Sequence, residues 1–171
     1  QGSFSLGINS VDDYFAAFGE SSSGASALSI AIGRLPCVSE AEAQAMVDKI
    51  IQVEDMRQAD PGSWRNSMLL VADDDMQGAE WDGIRDPNGH NQSSEKVAAA
   101  VLAARPSLDI RKTYLFDFPW NSSYERPEAS RAIINEINSG VGVVCYFGHG
   151  SDVFWADEHV LSPEIVPQLY N

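Results

Sequence analysis

The residues best suited to chemistry are a histidine held between two glycines, Gly148-His149-Gly150, followed by Ser151. They end an apolar run, Val141-Gly142-Val143-Val144-Cys145-Tyr146-Phe147, whose composition predicts a buried strand. Glycine lets the backbone turn sharply, so His149 is expected at the rim of a sheet. An imidazole placed there can give or take a proton near neutral pH. Thiols are scarce: Cys37 and Cys145 are the only two, which allows one disulfide and no disulfide framework. Cys145 sits inside the apolar run and is expected to be a small core residue.

A second cluster, Asp73-Asp74-Asp75, follows the apolar run Ser67-Met68-Leu69-Leu70-Val71-Ala72. Carboxylates are hard oxygen donors that suit Ca²⁺, which makes Asp73, Asp74 and Asp75 candidate metal ligands. Their spacing is not that of an EF-hand loop. His90 and Glu95 lie in or just after the long polar loop that comes next. A histidine with two carboxylates can hold zinc, but the paired His-Glu-x-x-His spacing is absent. Asn91-Gln92-Ser93 and Asn121-Ser122-Ser123 match the glycosylation acceptor pattern.

The elements that would position these groups are read from periodicity. Ala27 to Gly33 predicts a first strand, stopped by Gly33 and Pro36. Ser39-Glu40-Ala41-Glu42 is a capping box, and Ala43, Met46, Val47, Ile50 and Ile51 recur at helical spacing over residues 40–56. Ser67 to Ala72 predicts the second strand. Ser93 or Ser94 can cap a helix with Val97, Ala98, Val101 and Leu102 inside, ended by Pro106. Ile110 to Phe116 predicts the third strand. Pro127 suits the first turn of a helix with Ala132, Ile133 and Ile137 inside, closed by Gly140. Val141 to Phe147 is the fourth strand. Trp155 either pins the following loop by packing or walls a pocket beside His149.

Strands apolar on both faces, alternating with helices, predict a parallel sheet covered on both sides. Ligands of such sheets bind beyond the carboxyl ends of the strands. Arg34, Asp73 to Asp75, Asp117 and His149 all fall at those ends.

The bulk numbers narrow the function. A chain of 171 residues fits one domain with a real core. Eleven basic and 25 acidic residues give a net charge of −14. That argues against nucleic acid and against an anionic membrane surface, and it fits solubility, a basic or neutral partner, or Ca²⁺. No apolar run approaches the roughly 18 residues of a spanning helix. No glycine-rich phosphate loop follows a strand, which disfavours nucleotide binding. A chain that opens Gln1-Gly2-Ser3 is expected to be a processed or excised piece.

Several blocks, in order, resemble the gingipain-type cysteine peptidases of clan CD. They are Ile32-Gly33-Arg34-Leu35-Pro36, the helix from Glu40 to Glu54, and Trp64-Arg65-Asn66 leading into Leu69-Leu70-Val71-Ala72-Asp73-Asp74. The last are Tyr146-Phe147-Gly148-His149-Gly150-Ser151, Trp155-Ala156-Asp157-Glu158 and Leu161-Ser162. Within that family they are most similar to the sortase-like PorU type of the type IX secretion system.

The resemblance implies a caspase-like three-layer α/β/α fold, mainly parallel, and a His–Cys dyad acting on a protein or peptide substrate without a required cofactor. It implies that His149 is the dyad histidine and that the Gly150 N–H contributes to the oxyanion hole. It also implies a location outside the cell or at the surface of a Gram-negative bacterium. Ca²⁺ binding by family members adds weight to Asp73 to Asp75. The family's nucleophile follows the next strand, which this sequence does not reach. Residues 1–171 are thus expected to be part of a peptidase domain, inactive alone. It would pair with the missing part or associate with itself through an exposed sheet edge. An alternative is a non-catalytic acidic binding or scaffold module of the same fold.

Overall fold

The computed structural model describes residues 30–59, 62–74 and 89–170. They belong to two compact units, Gln1–Asp60 and Pro61–Asn171.

The first unit contains helix α1, Glu40–Ala59. Its start is the predicted capping box with a one-residue shift. The Glu42 N–H donates to Ser39 Oγ at 3.2 Å, while the Glu42 carboxylate accepts from Val38, not from Ser39 itself. Val47, Ile50 and Ile51 carry the expected helical spacing but are 41%, 46% and 50% exposed, so spacing alone does not bury them. The strand expected over Ala27–Gly33 is not formed in its described part, Ile30–Gly33. A strand needs a neighbour to satisfy its N–H and C=O groups, and none pairs with these residues among those described.

The second unit is a three-stranded parallel sheet in the order β2-β1-β3, with β1 Ser67–Ala72, β2 Asp109–Tyr114 and β3 Val143–Phe147. Met68 lies beside Ile110 and Val143, and Ala72 beside Tyr114 and Phe147. Helix α2, Gly89–Ala104, links β1 to β2, and α3, Pro127–Asn138, links β2 to β3.

Side chains alternate across the sheet as the strand period of two requires. Met68, Leu70, Cys145 and Phe147 join Val97, Ala98 and Val101 of α2 in one core. Leu69, Val71, Val144 and Tyr146 join Ala129, Ile133 and Ile137 of α3 in the other. Cys145 is thus a half-buried core residue, as expected. β1 is buried at every position because it is covered on both faces and paired on both edges. Its run of apolar residues is what such a strand needs.

This order has a functional consequence. The chain steps from β1 to β2 under one layer of helix, then returns past β1 to β3 under the other. Parallel crossovers are right-handed, so opposite steps put α2 and α3 on opposite faces. In open sheets of this kind the ligand crevice lies beyond the carboxyl ends of the strands, which points here to the ends of β1 and β3.

Three local expectations are corrected. β2 ends at Tyr114, and Leu115–Asp117 form a 3₁₀ turn that buries Leu115 and leaves Phe116 52% exposed. The run ends there because Leu115 fills the α3-side core, leaving Phe116 no apolar neighbour layer. α2 begins at Gly89, ahead of both serines. Ser93 Oγ donates back to the Gly89 carbonyl at 3.0 Å, and buried Ser94 meets the Tyr114 hydroxyl at 3.1 Å. Leu102 faces outward at 39% exposure. The end of α3 agrees with expectation: Gly140 adopts φ +89°, the left-handed turn that stops a helix at small cost only for glycine.

Leu115→Ala should lower unfolding free energy by about 2–5 kcal/mol, and Phe116→Ala by less than about 0.5 kcal/mol. Urea denaturation of both variants checks this placement.

Candidate active site

The crevice between β1 and β3 is lined by the residues just past the end of each strand. Pairing continues one residue past β1, where the Asp73 N–H donates to the Phe147 carbonyl at 2.9 Å. That step sets Asp73 against Gly148. A methyl group on Gly148 would run into Asp73 Cβ and the Tyr146 hydroxyl, so only glycine permits this approach.

His149 comes next, and its backbone is held at both ends. Its N–H donates to Asp73 Oδ2 at 3.1 Å. Its carbonyl accepts from the Ala156 N–H at 2.9 Å and from the Tyr146 hydroxyl at 2.6 Å. Burial and the nearby Asp73 push the Tyr146 phenol up, which keeps it a donor. The Tyr146 ring stacks on Trp155, 4.4 Å between centroids, so Trp155 does pin this loop by packing. The imidazole itself is 56% exposed, with Nδ1 3.7 Å from Asp73 Oδ2. Among the described residues the Gly150 N–H meets no acceptor, and Gly150 itself is exposed.

His90, at the first turn of α2, brings its ring edge-on to His149, 5.1 Å between centroids. Glu95 does not accompany it. Its carboxylate takes Lys112 Nζ at 2.7 and 2.8 Å and the Tyr114 hydroxyl at 2.8 Å, and the Lys112 contact holds it below the usual carboxylate range. The His90–Glu95 pairing considered for zinc is therefore not assembled.

The model of peptidase family C25 matches residues 3–171. The chain belongs to this family. C25 is the gingipain family of clan CD, and the helix-covered parallel sheet agrees with the caspase-like fold of that clan. No curated protein and no solved structure matches the chain.

Behind the crevice, this C25 domain buries a charged group that spacing alone could not reveal. Arg126, the residue before α3, donates to Asp74 Oδ2 and to the Phe118 carbonyl, and stacks over the Trp120 ring at 3.9 Å. Its Nε lies 3.8 Å from Glu158 Oε1. Asp73, Asp74 and Glu158 are all buried, and their carboxylates converge within 4.8 Å. Burial and the charge of Asp74 push the Glu158 carboxyl up to about 8. Of the three expected metal ligands, Asp73 faces His149, Asp74 takes Arg126, and Asp75 lies outside the described residues. Of the other strand-end groups, Asp117 is exposed and Arg34 belongs to the first unit. Asn121 uses its side chain locally, accepting from the Ser123 and Glu125 N–H groups at 2.8 and 2.9 Å.

Between the ordinary carboxyl value of 4.5 and about 8, the folded protein holds a proton on Glu158 that the unfolded chain releases. Its contribution to stability is complete below that window and is lost as pH rises through it. Glu158→Gln should therefore be more stable than the parent at pH 8.5, with the advantage shrinking toward pH 5, as read from urea midpoints. Gly148→Ala should cost about 1–3 kcal/mol by overpacking, measured the same way at constant pH.

Proposed function

We propose that His149 is the general base of a cysteine peptidase dyad, that the Gly150 N–H is an oxyanion donor, and that Asp73 holds the histidine in place. One observation carries this reading: the Gly148-His149-Gly150 turn stands at the carboxyl ends of β1 and β3, its backbone fixed and its imidazole more than half exposed beside Asp73. Membership of C25 supplies the reaction class.

The chemistry then runs as acyl transfer. His149 takes the proton of a thiol, and the thiolate attacks the peptide carbonyl. The negative charge that develops on that oxygen is met by the Gly150 N–H. His149 returns the proton to the leaving amine, and water or a second amine resolves the thioester. Asp73 stabilises the imidazolium between the two transfers. Asp74 stays behind it, balanced by Arg126, with Glu158 beside that pair.

Cys145 is not the nucleophile. It lies within β3, beside Leu70, among the α2-side core residues. The outer edge of β3 carries no partner strand among the described residues. A parallel strand added there would end next to His149, which is where the thiol must arrive. We therefore place the nucleophile on chain that pairs with that edge and completes the domain. By the same resemblance, the whole protein is of the PorU type, processing secreted proteins. Family membership supports an extracellular or surface location, and no described helix is long and apolar enough to cross a membrane. A shallow cavity of about 410 Å³ beside the turn, bounded by Ser151, Phe154, Trp155 and Leu161, offers a seat for the peptide. A Ca²⁺ on Asp73 to Asp75 fits this arrangement less well, because the Arg126 guanidinium already holds Asp74.

In the protein extended through the next strand, peptide cleavage should appear, and His149→Ala should reduce kcat/KM by about 10³-fold or more. Activity retained by His149→Ala would overturn the assignment.

A further inference from the structure

Asp73, His90 and His149 bring two imidazoles and one carboxylate to a single point. One ligand atom from each lies within 4.8 Å of the others. They come from three separate elements: the end of β1, the first turn of α2 and the turn after β3. Nothing in the catalytic reading uses His90.

We propose that these three residues form a binding site for a divalent transition-metal ion, Zn²⁺ being the one their chemistry suits, and that the bound ion holds the site inactive. This second clause rests on His149 being the base, whereas the binding itself does not.

The donor set decides the class of ion. Two imidazole nitrogens and one carboxylate oxygen are borderline ligands that zinc takes readily. Calcium and magnesium need about six oxygens and would find one. Zinc sits about 2.0–2.2 Å from such donors, and tetrahedral ligands then stand roughly 3.3–3.5 Å apart. His149 Nδ1 is already 3.7 Å from Asp73 Oδ2, and no separation in the trio exceeds 4.8 Å, so a small inward movement closes the site. His149 can make it, since its side chain is 56% exposed while that of Asp73 is 4% exposed. The buried carboxylate is the fixed point, oriented by the His149 N–H it already accepts.

Three protein ligands leave a fourth tetrahedral position open. A metal-bound imidazole nitrogen has no lone pair for a proton, so the ion competes directly with the function of His149. The neighbouring carboxylates make the locality anionic, but Asp74 is paired with Arg126 and so does not become the ligand.

The measurement is Zn²⁺ titration of the parent chain carrying Cys37→Ser, because that thiol is exposed and thiolates are themselves zinc ligands. One ion should bind with micromolar affinity or better. His90→Ala and His149→Ala should each weaken it by at least about tenfold, while Glu95→Gln should leave it unchanged. NMR of the imidazole resonances gives a readout independent of any variant at the site: His90 and His149 should move together at one equivalent of Zn²⁺. No binding below about 100 µM, or movement of His149 without His90, would overturn the site. Peptide cleavage in the completed protein separates the two readings. Zinc binding with an active His149→Ala variant would remove the base and keep the metal site. Loss of activity in that variant without zinc binding would do the reverse.

Discussion

The buried pairing of Arg126 with Asp74 is the constraint on which the rest of the rim depends. A guanidinium and carboxylates removed from water must stay together, since separating them would leave charges without compensation. The pairing joins the second residue after β1 to the residue before α3, and Arg126 also lies against Glu158 of the loop that follows His149. Three segments far apart in sequence are thereby fixed to one another. The cation–π contact with Trp120 and the bond to the Phe118 carbonyl bring in a fourth. Asp73 is the immediate neighbour of this anchor, so the group that faces His149 inherits its position.

The crevice exists for a different reason, which is the order of the strands. With β1 at the centre, the chain steps out to β2 and then back past β1 to β3, and the two steps carry their helices to opposite faces. The residues just past β1 and β3, Asp73 and Gly148, are left side by side, with the His90 ring set against His149. Backbone pairing extends into this gap only as far as Asp73 and Phe147. Beyond that point the ladder no longer dictates which residue types the chain can carry.

Much of this was legible in the sequence, for identifiable reasons. The Gly148-His149-Gly150 turn could be placed because an apolar run fixes a strand and glycine marks where it turns. α3 could be placed because Pro127 and Gly140 punctuate it at both ends. The run Ile110 to Phe116 misled because Leu115 and Phe116 are both apolar, and only the packed core distinguishes the one that turns in. The approach of His90 to His149 had no local signal, since the two lie 59 positions apart (149 − 90) and meet only through the crossover. The partnership of Glu158 with Arg126 was hidden in the same way. Both residue types are ordinary on surfaces, and burial is a property of the fold rather than of the run. α1 shows the converse, an apolar spacing that was clear in sequence but stays half-exposed.

The way His149 is held divides its freedom unequally. The N–H and carbonyl are tied to Asp73, Ala156 and Tyr146, while the ring projects into solvent. The folding of the sheet therefore meets the entropic cost of locating this imidazole. From that fixed backbone the ring reaches the edge of His90 and stands 3.7 Å from Asp73. The Tyr146 hydroxyl on the His149 carbonyl thus sets the point from which an exposed side chain meets two partners from other elements.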